Sequence, residues 1–254
     1  GLESGIFFLY ALVMNLWVYP WLILLTLSGI LFFPLLFVLW KVLTRWESGR
    51  IMRLFIWCYG RAWLAINAPF VRFSREGFDT LKLPRPSILV INHLSFFDIY
   101  CMGLFPHSDV AFAVRSWPYK MFWYAPFMHL AQYLNLERIG WQGAFERGRK
   151  IFSQQGSLLF FPEGHRSRDG RLQRFYSGPF KLAVETGVPI VPLCISGTEV
   201  LLPAGRWWMR PAWIRLAVLP PVDPKGYEGP LGHIALKKQI KTQMAEKLSA
   251  MGRR

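Results

Sequence analysis

The stretch Ile88-Leu-Val-Ile-Asn-His-Leu-Ser-Phe-Phe-Asp98 decides the fold. The four aliphatic residues that open it are typical of a buried strand, and the apolar run that resumes at Ile99 predicts a helix. Polar side chains collect between the two, at Asn92, His93 and Asp98. Open α/β sheets place their sites at the carboxyl ends of their strands. The sequence therefore predicts a functional site on the turn that follows this strand.

The spacing of His93 and Asp98 constrains how they can meet. On one helix, side chains five residues apart point about 140° away from each other. The two can meet only if His93 lies on the turn and Asp98 lies in the first turn of the helix. There Asp98 would bind one imidazole nitrogen and leave the other free to act as a base. A non-catalytic alternative is that Ser95-x-x-Asp98 only caps the helix and that His93 is a core histidine.

The rest of the chain alternates between predicted strands and predicted helices. We predict strands at 87–92, 110–115, 133–139, 157–161, 189–195 and 213–219. We predict helices at 97–104, 118–131, 142–154, 178–186 and 231–250. This pattern is typical of βαβ units, so we expect an α/β fold with a mixed, largely parallel central sheet flanked by helices.

The N-terminal segment has a different character, since residues 6–40 contain no charged side chain. Twenty helical residues reach about 30 Å, the thickness of a hydrocarbon core. Because Pro20 interrupts the segment, we expect a two-helix element of 6–19 and 21–40, which either spans the membrane or dips into one leaflet. Two alternatives are a buried soluble helix and a signal peptide, although no basic region precedes the segment.

Charge predicts which side of the membrane holds the rest of the chain. Only Glu3 precedes the apolar segment, whereas four basic residues follow it closely: Lys41, Arg45, Arg50 and Arg53. By the positive-inside rule, the remainder lies on the cytoplasmic side. We therefore divide the chain into membrane-embedded helices at 1–45 and a catalytic α/β domain at 46–254.

The composition points to an anionic lipid partner. The 254 residues include 30 Lys and Arg against 15 Asp and Glu, a net charge of +15. Such a balance suits nucleic acid, anionic lipid or a phosphorylated substrate. Nucleic-acid binders are rarely 53% hydrophobic, and 12 tryptophans favour a lipid interface. We therefore expect a phospholipid membrane as partner and no nucleic acid.

A second polar cluster follows the predicted strand at 157–161. Pro162 and Gly164 favour a tight turn there. Glu163 and Arg166 extend from this turn, and three more arginines follow, Arg168, Arg171 and Arg174. Guanidinium groups bind phosphate through two parallel hydrogen bonds, so the loop suits an anionic substrate, the alternative being a solvated basic loop. A zinc site is poorly supported, because His165 and Asp169 do not make a complete ligand set.

Four short motifs carry a family resemblance. They are Asn92-His93-x4-Asp98, Glu137-Arg138, Phe161-Pro-Glu-Gly-x-Arg-Ser167 and Val188-Pro-Ile-Val-Pro192. In order and spacing they resemble the motifs of the glycerophospholipid acyltransferases, and among these the 1-acyl-glycerol-3-phosphate acyltransferases. The N-terminal helices are similar to the membrane-docking two-helix element of that family.

The resemblance implies a reaction and a set of roles. The reaction moves a fatty acyl group from acyl-CoA or acyl carrier protein to the free hydroxyl of 1-acyl-glycerol 3-phosphate, which gives phosphatidic acid, with no cofactor or metal. His93 is the implied base and Asp98 its partner. Substrate-binding roles fall to Arg138, Glu163, Gly164, Arg166 and Ser167, and an acyl-pocket role falls to Pro189, Ile190, Val191 and Pro192.

Rival functions remain at this stage. In one alternative, the acceptor is another lysophospholipid, glycerol 3-phosphate or an amino-acid lipid. A non-catalytic membrane lipid-binding protein is a second, which the His93–Asp98 pair argues against. A lipid hydrolase is a third, and the sequence lacks the G-x-S-x-G nucleophile motif for it.

Overall fold

A seven-stranded mixed sheet forms the centre of the structure, a computed structural model that describes residues 2–167, 170–203 and 205–252, with side chains from residue 5. The strands are β1 (Val71–Glu76), β2 (Ile88–Ile91), β3 (Val110–Val114), β4 (Leu134–Asn135), β5 (Ser157–Phe160), β6 (Ile190–Ser196) and β7 (Ala212–Val218). Their order across the sheet is β1-β7-β6-β2-β5-β3-β4. The five strands from β6 to β4 are parallel, and β7 runs antiparallel to β6. The predicted mixed, largely parallel sheet is confirmed.

Eight α-helices are described around this sheet. They are α1 (Leu2–Thr44), α2 (Ser48–Asn67), α3 (Asp98–Cys101), α4 (Ala125–Leu130), α5 (Leu136–Ser153), α6 (Gly178–Thr186), α7 (Thr198–Leu201) and α8 (Gly232–Gly252). Short 3-10 helices lie at Met102–Leu104, Trp117–Lys120 and Pro224–Gly226. The predicted helix at 118–131 is in fact divided between one of these and α4. The predicted strand at 133–139 ends at Asn135, whose side chain accepts a hydrogen bond from the Arg138 N–H and so begins α5.

The helices cover the sheet on both faces. Ala111 of β3 pairs in register with Leu158 of β5, so the two side chains point to the same face. On that face Leu158 contacts α5 at Gly148, α6 packs beside α5, and α8 packs beside α6. Phe112 points to the opposite face, where it lines a cavity together with α2. The strand quoted at the outset, β2, is fully buried between these layers.

The N-terminal segment differs from the expectation of two helices within 1–45. One helix, α1, continues through both Pro20 and Pro34. A proline inside a helix removes a backbone hydrogen bond, but apolar helices tolerate it where the freed carbonyls find other donors. Residues 5–44 are long and apolar enough to cross a membrane. The two-helix element is instead α1 with α2, which begins after the expected boundary.

The two helices run antiparallel along most of their length. Near the end of α2, the ring of Tyr10 contacts Phe70 at 5.4 Å, and the Trp17 indole N–H donates to the carbonyl of Ile66. Near its beginning, the ring of Phe33 lies 5.8 Å from Phe55. α1 is therefore attached to the rest of the protein over many turns, while its remaining surface exposes large apolar side chains.

Candidate active site

The turn after β2 brings His93 and Asp98 together. The distance from His93 Nδ1 to Asp98 Oδ2 is 2.7 Å. Asp98 is the first residue of α3 and is fully buried, whereas 19% of the His93 side chain is exposed. The ring of Phe161 lies 4.2 Å from the imidazole and limits its movement. The local geometry proposed from the five-residue spacing is therefore present.

Asp98 is held by three donors besides His93. Its Oδ2 accepts hydrogen bonds from the backbone N–H groups of Leu94 and Ser95, at 2.7 and 2.9 Å. Its Oδ1 accepts one from the Thr198 hydroxyl at 2.5 Å. Asp98 thus holds the turn before α3 and binds the imidazole at the same time, whereas Phe97, the N-cap residue of α3, has no side-chain cap bond. The alternative in which Asp98 only caps the helix is therefore not what the structure shows. Because a carboxylate is an acceptor, His93 carries its proton on Nδ1 and presents the lone pair of Nε2.

Asn92 fixes the point where β2 ends and the turn begins. Its side-chain oxygen accepts from the Ile195 N–H at 2.8 Å, and its side-chain nitrogen donates to the Ile195 carbonyl at 2.9 Å. The amide therefore continues the pairing of β2 with β6 beyond the last strand residue. This anchors the backbone on which His93 stands.

Glu163 joins this turn to the turn that follows β5. One oxygen accepts from the His93 N–H at 2.8 Å, and the other accepts from the Gln173 N–H at 2.7 Å. Burial raises the pKa of Glu163, and the two backbone donors offset part of that rise. A third bond crosses the turns, from the Ser167 N–H to the His93 carbonyl at 2.8 Å. The structure gives Glu163 a positioning role, since both oxygens bind the backbone.

The other predicted substrate-binding residues of this loop differ in exposure. Gly164 has a φ of +72°, and a β-carbon there would lie 2.7 Å from the Tyr176 ring, so the turn requires glycine. Ser167 is buried and donates to the Arg171 carbonyl at 2.8 Å. Arg166 is exposed, and it is therefore the member of this set that is open to an anionic ligand. Arg168 and Asp169 lie outside the described residues.

Arg138 is farther from the turn of His93. It stands at the start of α5, next to β4, which is three strands away from β2. At about 4.8 Å per strand this separates their backbones by about 14 Å, whereas β5 and Arg166 are adjacent to β2. The neighbouring Glu137 accepts hydrogen bonds from the Ser116 N–H and from Arg115, which lower the pKa of Glu137 to about 2.

The residues predicted to line an acyl pocket, Pro189 to Pro192, do not meet His93. β6 pairs with β2 so that Ile190 lies beside Ile88 and Pro192 beside Val90, below the catalytic turn. Ile190 and Val191 are fully buried in the sheet. The structure therefore agrees with the alternative in which these residues form a core strand.

An apolar cavity lies between α2 and the sheet. It has a volume of about 20 Å³, enough for about one water molecule, and its lining includes Arg53 and His107 beside Ile56, Ile99 and Phe112. Ile99 directly follows Asp98, so the cavity adjoins the helix that carries the carboxylate. No signal in the sequence distinguishes these side chains from ordinary core residues.

Thr198 is the site residue that sequence reasoning missed. It is fully buried at the start of α7 and directly follows Gly197, which has a φ of +95°. A β-carbon on Gly197 would lie 2.1 Å from the Trp213 carbonyl oxygen, so only glycine allows this approach. The available signal was a polar residue just after a buried strand, the same signal that identified His93.

Replacing Thr198 should test whether its hydroxyl positions Asp98. In Thr198→Val the shape is kept and the donor is lost. Since a hydrogen bond to a charged group contributes about 1.5–3 kcal/mol, we expect kcat to fall about tenfold or more with little change in the acceptor KM. Thr198→Ser, which keeps the hydroxyl, should recover most of the rate. Steady-state kinetics of both variants, with thermal unfolding as a control, checks this; equal losses in the two would assign Thr198 to packing alone.

Comparisons with known proteins show what this chain is similar to. Residues 72–196 match the sequence model of the Acyltransferase family. The chain is 31% identical over 197 residues to a 1-acyl-sn-glycerol-3-phosphate acyltransferase of Cocos nucifera, covering 74% of this chain and 61% of that protein. It is 32% identical over 178 residues to one from Limnanthes douglasii, covering 67% and 58%. It is 30% identical over 166 residues to a chloroplastic one from Brassica napus, covering 61% and 46%.

The fold has a counterpart among solved structures. The crystal structure of the 1-acyl-sn-glycerophosphate acyltransferase PlsC from Thermotoga maritima superposes with a TM-score of 0.78, over 96% of this chain and 98% of that chain, at 24% identity. Residues 72–196 of this protein belong to the acyltransferase family. Within that family it is similar to the 1-acyl-sn-glycerol-3-phosphate acyltransferases, and it spans about half the length of the curated relatives it matches.

Proposed function

We propose that this protein transfers a fatty acyl group from an acyl thioester, acyl-CoA or acyl carrier protein, to the free hydroxyl of 1-acyl-glycerol 3-phosphate, giving phosphatidic acid. The observation that carries the proposal is the 2.7 Å contact from His93 Nδ1 to Asp98, which leaves Nε2 as a base. The relatives named after this reaction support it. The test is a transfer assay of the protein in detergent, with a panel of lysolipids and a labelled thioester.

The geometry suits direct attack by the acceptor hydroxyl. A hydroxyl is a poor nucleophile at neutral pH and needs a base as it attacks. His93 Nε2 takes the proton while the hydroxyl oxygen bonds to the thioester carbon. The carbon–sulfur bond then breaks, and the imidazolium returns the proton to the leaving thiolate. Asp98 holds the ring and stabilises the imidazolium between these steps, and the sequence of steps uses no metal or cofactor.

An acyl-pocket role for Pro189, Ile190, Val191 and Pro192 is not part of this proposal. Ile190 and Val191 are fully buried, and β6 pairs with β2 along this stretch.

We propose that α1 and α2 lie in one leaflet, with the catalytic domain on the cytoplasmic side. α1 contacts other parts of the protein from Tyr10 to Phe33, a length of about 35 Å. If α1 crossed the bilayer, the segments that it contacts, among them α4 and the end of α2, would also have to lie in hydrocarbon. Its exposed apolar surface and the exposed Arg45 that follows it favour an interfacial position instead, whereas Arg53 is buried in an ion pair with Asp109.

Arg166 is the proposed phosphate ligand, and its loss should raise the KM for the acceptor. A phosphomonoester carries close to two negative charges and can use the fork of a guanidinium group. A choline headgroup adds a cation that a basic loop repels. We expect Arg166→Ala to raise the acceptor KM about tenfold or more with the thioester KM little changed, and Arg166→Lys to recover only part because lysine lacks the fork.

The position of Arg138 predicts that its replacement has a smaller effect on the acceptor KM than replacement of Arg166. The strand beside Arg138, β4, lies about 14 Å from β2 across the sheet. Arg138→Ala should therefore raise the acceptor KM less than Arg166→Ala does. Arg149→Ala, an exposed change on α5, serves as the control. Competition between lysophosphatidic acid and lysophosphatidylcholine measures selectivity. Equal use of both lysolipids by the wild type, or an Arg166 variant impaired only toward the thioester, would contradict the assignment.

A further inference from the structure

Among the exposed aromatic side chains outside α1, three lie close together in the sequence before α4. Trp117, Phe122 and Trp123 are 51%, 81% and 53% exposed, and we call them the rim patch. Phe122 and Trp123 contact each other edge to face at 5.0 Å, which holds both rings at the surface. Clustered exposed rings are typical of a contact surface, whereas scattered apolar residues are not.

The rim patch lies between the active-site turn and α1. On one side, the ring of Trp117 is 6.2 Å from Phe96, which belongs to the turn between His93 and Asp98. On the other side, α4 begins two residues after Trp123, and its Phe127 contacts Phe33 of α1 at 5.2 Å. The patch therefore connects the apolar surface of α1 to the edge of the site.

We propose that the rim patch inserts into the leaflet that holds α1 and is a second anchor, which sets the active-site turn at the depth of the lipid headgroups. The inference rests on the proposed function only in placing α1 in lipid. Tryptophan and phenylalanine beside a cation are the residues that settle at a membrane interface, and the exposed Lys120 stands between Trp117 and Phe122. Continuity with α1 favours lipid over an acidic protein or a second copy of this chain.

The proposed anchor explains how a membrane-bound acceptor reaches His93. The free hydroxyl of a lysolipid lies at the interface, while its acyl chain stays in hydrocarbon. A patch that enters the interface beside the His93 turn lets the hydroxyl approach the base without the lysolipid leaving the bilayer. Activity toward an acceptor dissolved in water should not need this contact.

An environment-sensitive label tests the insertion directly. The label is attached to Phe122→Cys in a full-length Cys58→Ser background, since the other two cysteines are buried. With vesicles of phosphatidylcholine and phosphatidylglycerol, we expect its emission to shift to the blue and to be quenched by shallow spin-labelled lipid. Leu231→Cys is the matched control, because Leu231 is 69% exposed and precedes α8 on the opposite face of the sheet; its label should not shift. A label at position 122 that keeps its emission while the protein is bound to vesicles would overturn the proposal.

A double variant tests the consequence. Phe122→Ser with Trp123→Ser should lower partitioning into the same vesicles on the order of tenfold, because two rings no longer bury apolar area. It should keep the wild-type kcat on a short-chain, water-soluble lysophosphatidic acid and lose rate on the bilayer-embedded one, while Leu231→Ser changes neither.

Two further results would overturn the proposal. One is unchanged partitioning of the double variant; if the variant also loses self-association in light scattering, the patch belongs to a contact with a second copy of this chain. The other is a defect confined to a carrier-protein donor, which would assign the patch to an acidic protein. Absence of acyl transfer in the wild type would reject the proposed function and leave the label and partitioning results to decide the patch.

Discussion

His93→Ala should lower kcat by about 10²–10⁴, the usual contribution of a general base, while leaving the fold intact. The imidazole is partly exposed, and its ring contacts the ring of Phe161. The two turns remain joined in the variant, because the bonds between them use the backbone N–H and carbonyl of residue 93. The loss should therefore appear in chemistry rather than in stability.

The measurement is single-turnover transfer from a labelled thioester to lysophosphatidic acid, with the unfolding temperature followed in parallel. His233→Ala is the control, since His233 belongs to α8, which packs on the face of the sheet opposite to α2. It removes an imidazole from the same protein without touching the turn. Near-normal transfer by His93→Ala would show that another group takes the proton and that the mechanism is wrong.

What the sequence could predict depended on how local each contact is. His93 and Asp98 are five residues apart, so a strand, a turn and the start of a helix were enough to bring them together. Thr198 and Asp98 are one hundred residues apart. Their contact exists because β6 lies beside β2, and the order of strands in a sheet is not contained in the pattern of any single segment.

Two other differences have physical causes of the same kind. Proline usually ends a helix in water, so Pro20 predicted a break. The helix continues because breaking backbone hydrogen bonds costs more free energy in apolar surroundings than in water, so an apolar helix keeps the bonds that proline leaves intact. Glu163 was correctly placed on a turn beside the site, but its partners were not predictable. Its carboxylate binds N–H groups of His93 and Gln173, seventy residues before it and ten after it.

Asp98→Asn should be the second most damaging of these changes, with kcat lowered by about 10²–10⁴ but less than in His93→Ala. Asparagine has the size of aspartate, and its oxygen can replace Oδ2, which accepts from His93, Leu94 and Ser95. Its nitrogen then faces Thr198, whose hydroxyl can rotate to accept. The bonds to the turn before α3 and the imidazole tautomer are therefore kept. The negative charge that stabilises the imidazolium is lost.

A cycle with Thr198 separates charge from packing. In the wild type the Thr198 hydroxyl donates to a carboxylate, whereas in Asp98→Asn it faces an amide nitrogen. Thr198→Val should therefore cost much less kcat in the Asp98→Asn background than in the wild type, and the two losses should not add. Asp98→Ala, which leaves the N–H groups of Leu94 and Ser95 without their acceptor, should instead unfold several degrees lower. Additive losses in the cycle would mean that Thr198 does not act through Asp98, and wild-type kcat in Asp98→Asn would show that the reaction does not need the carboxylate charge.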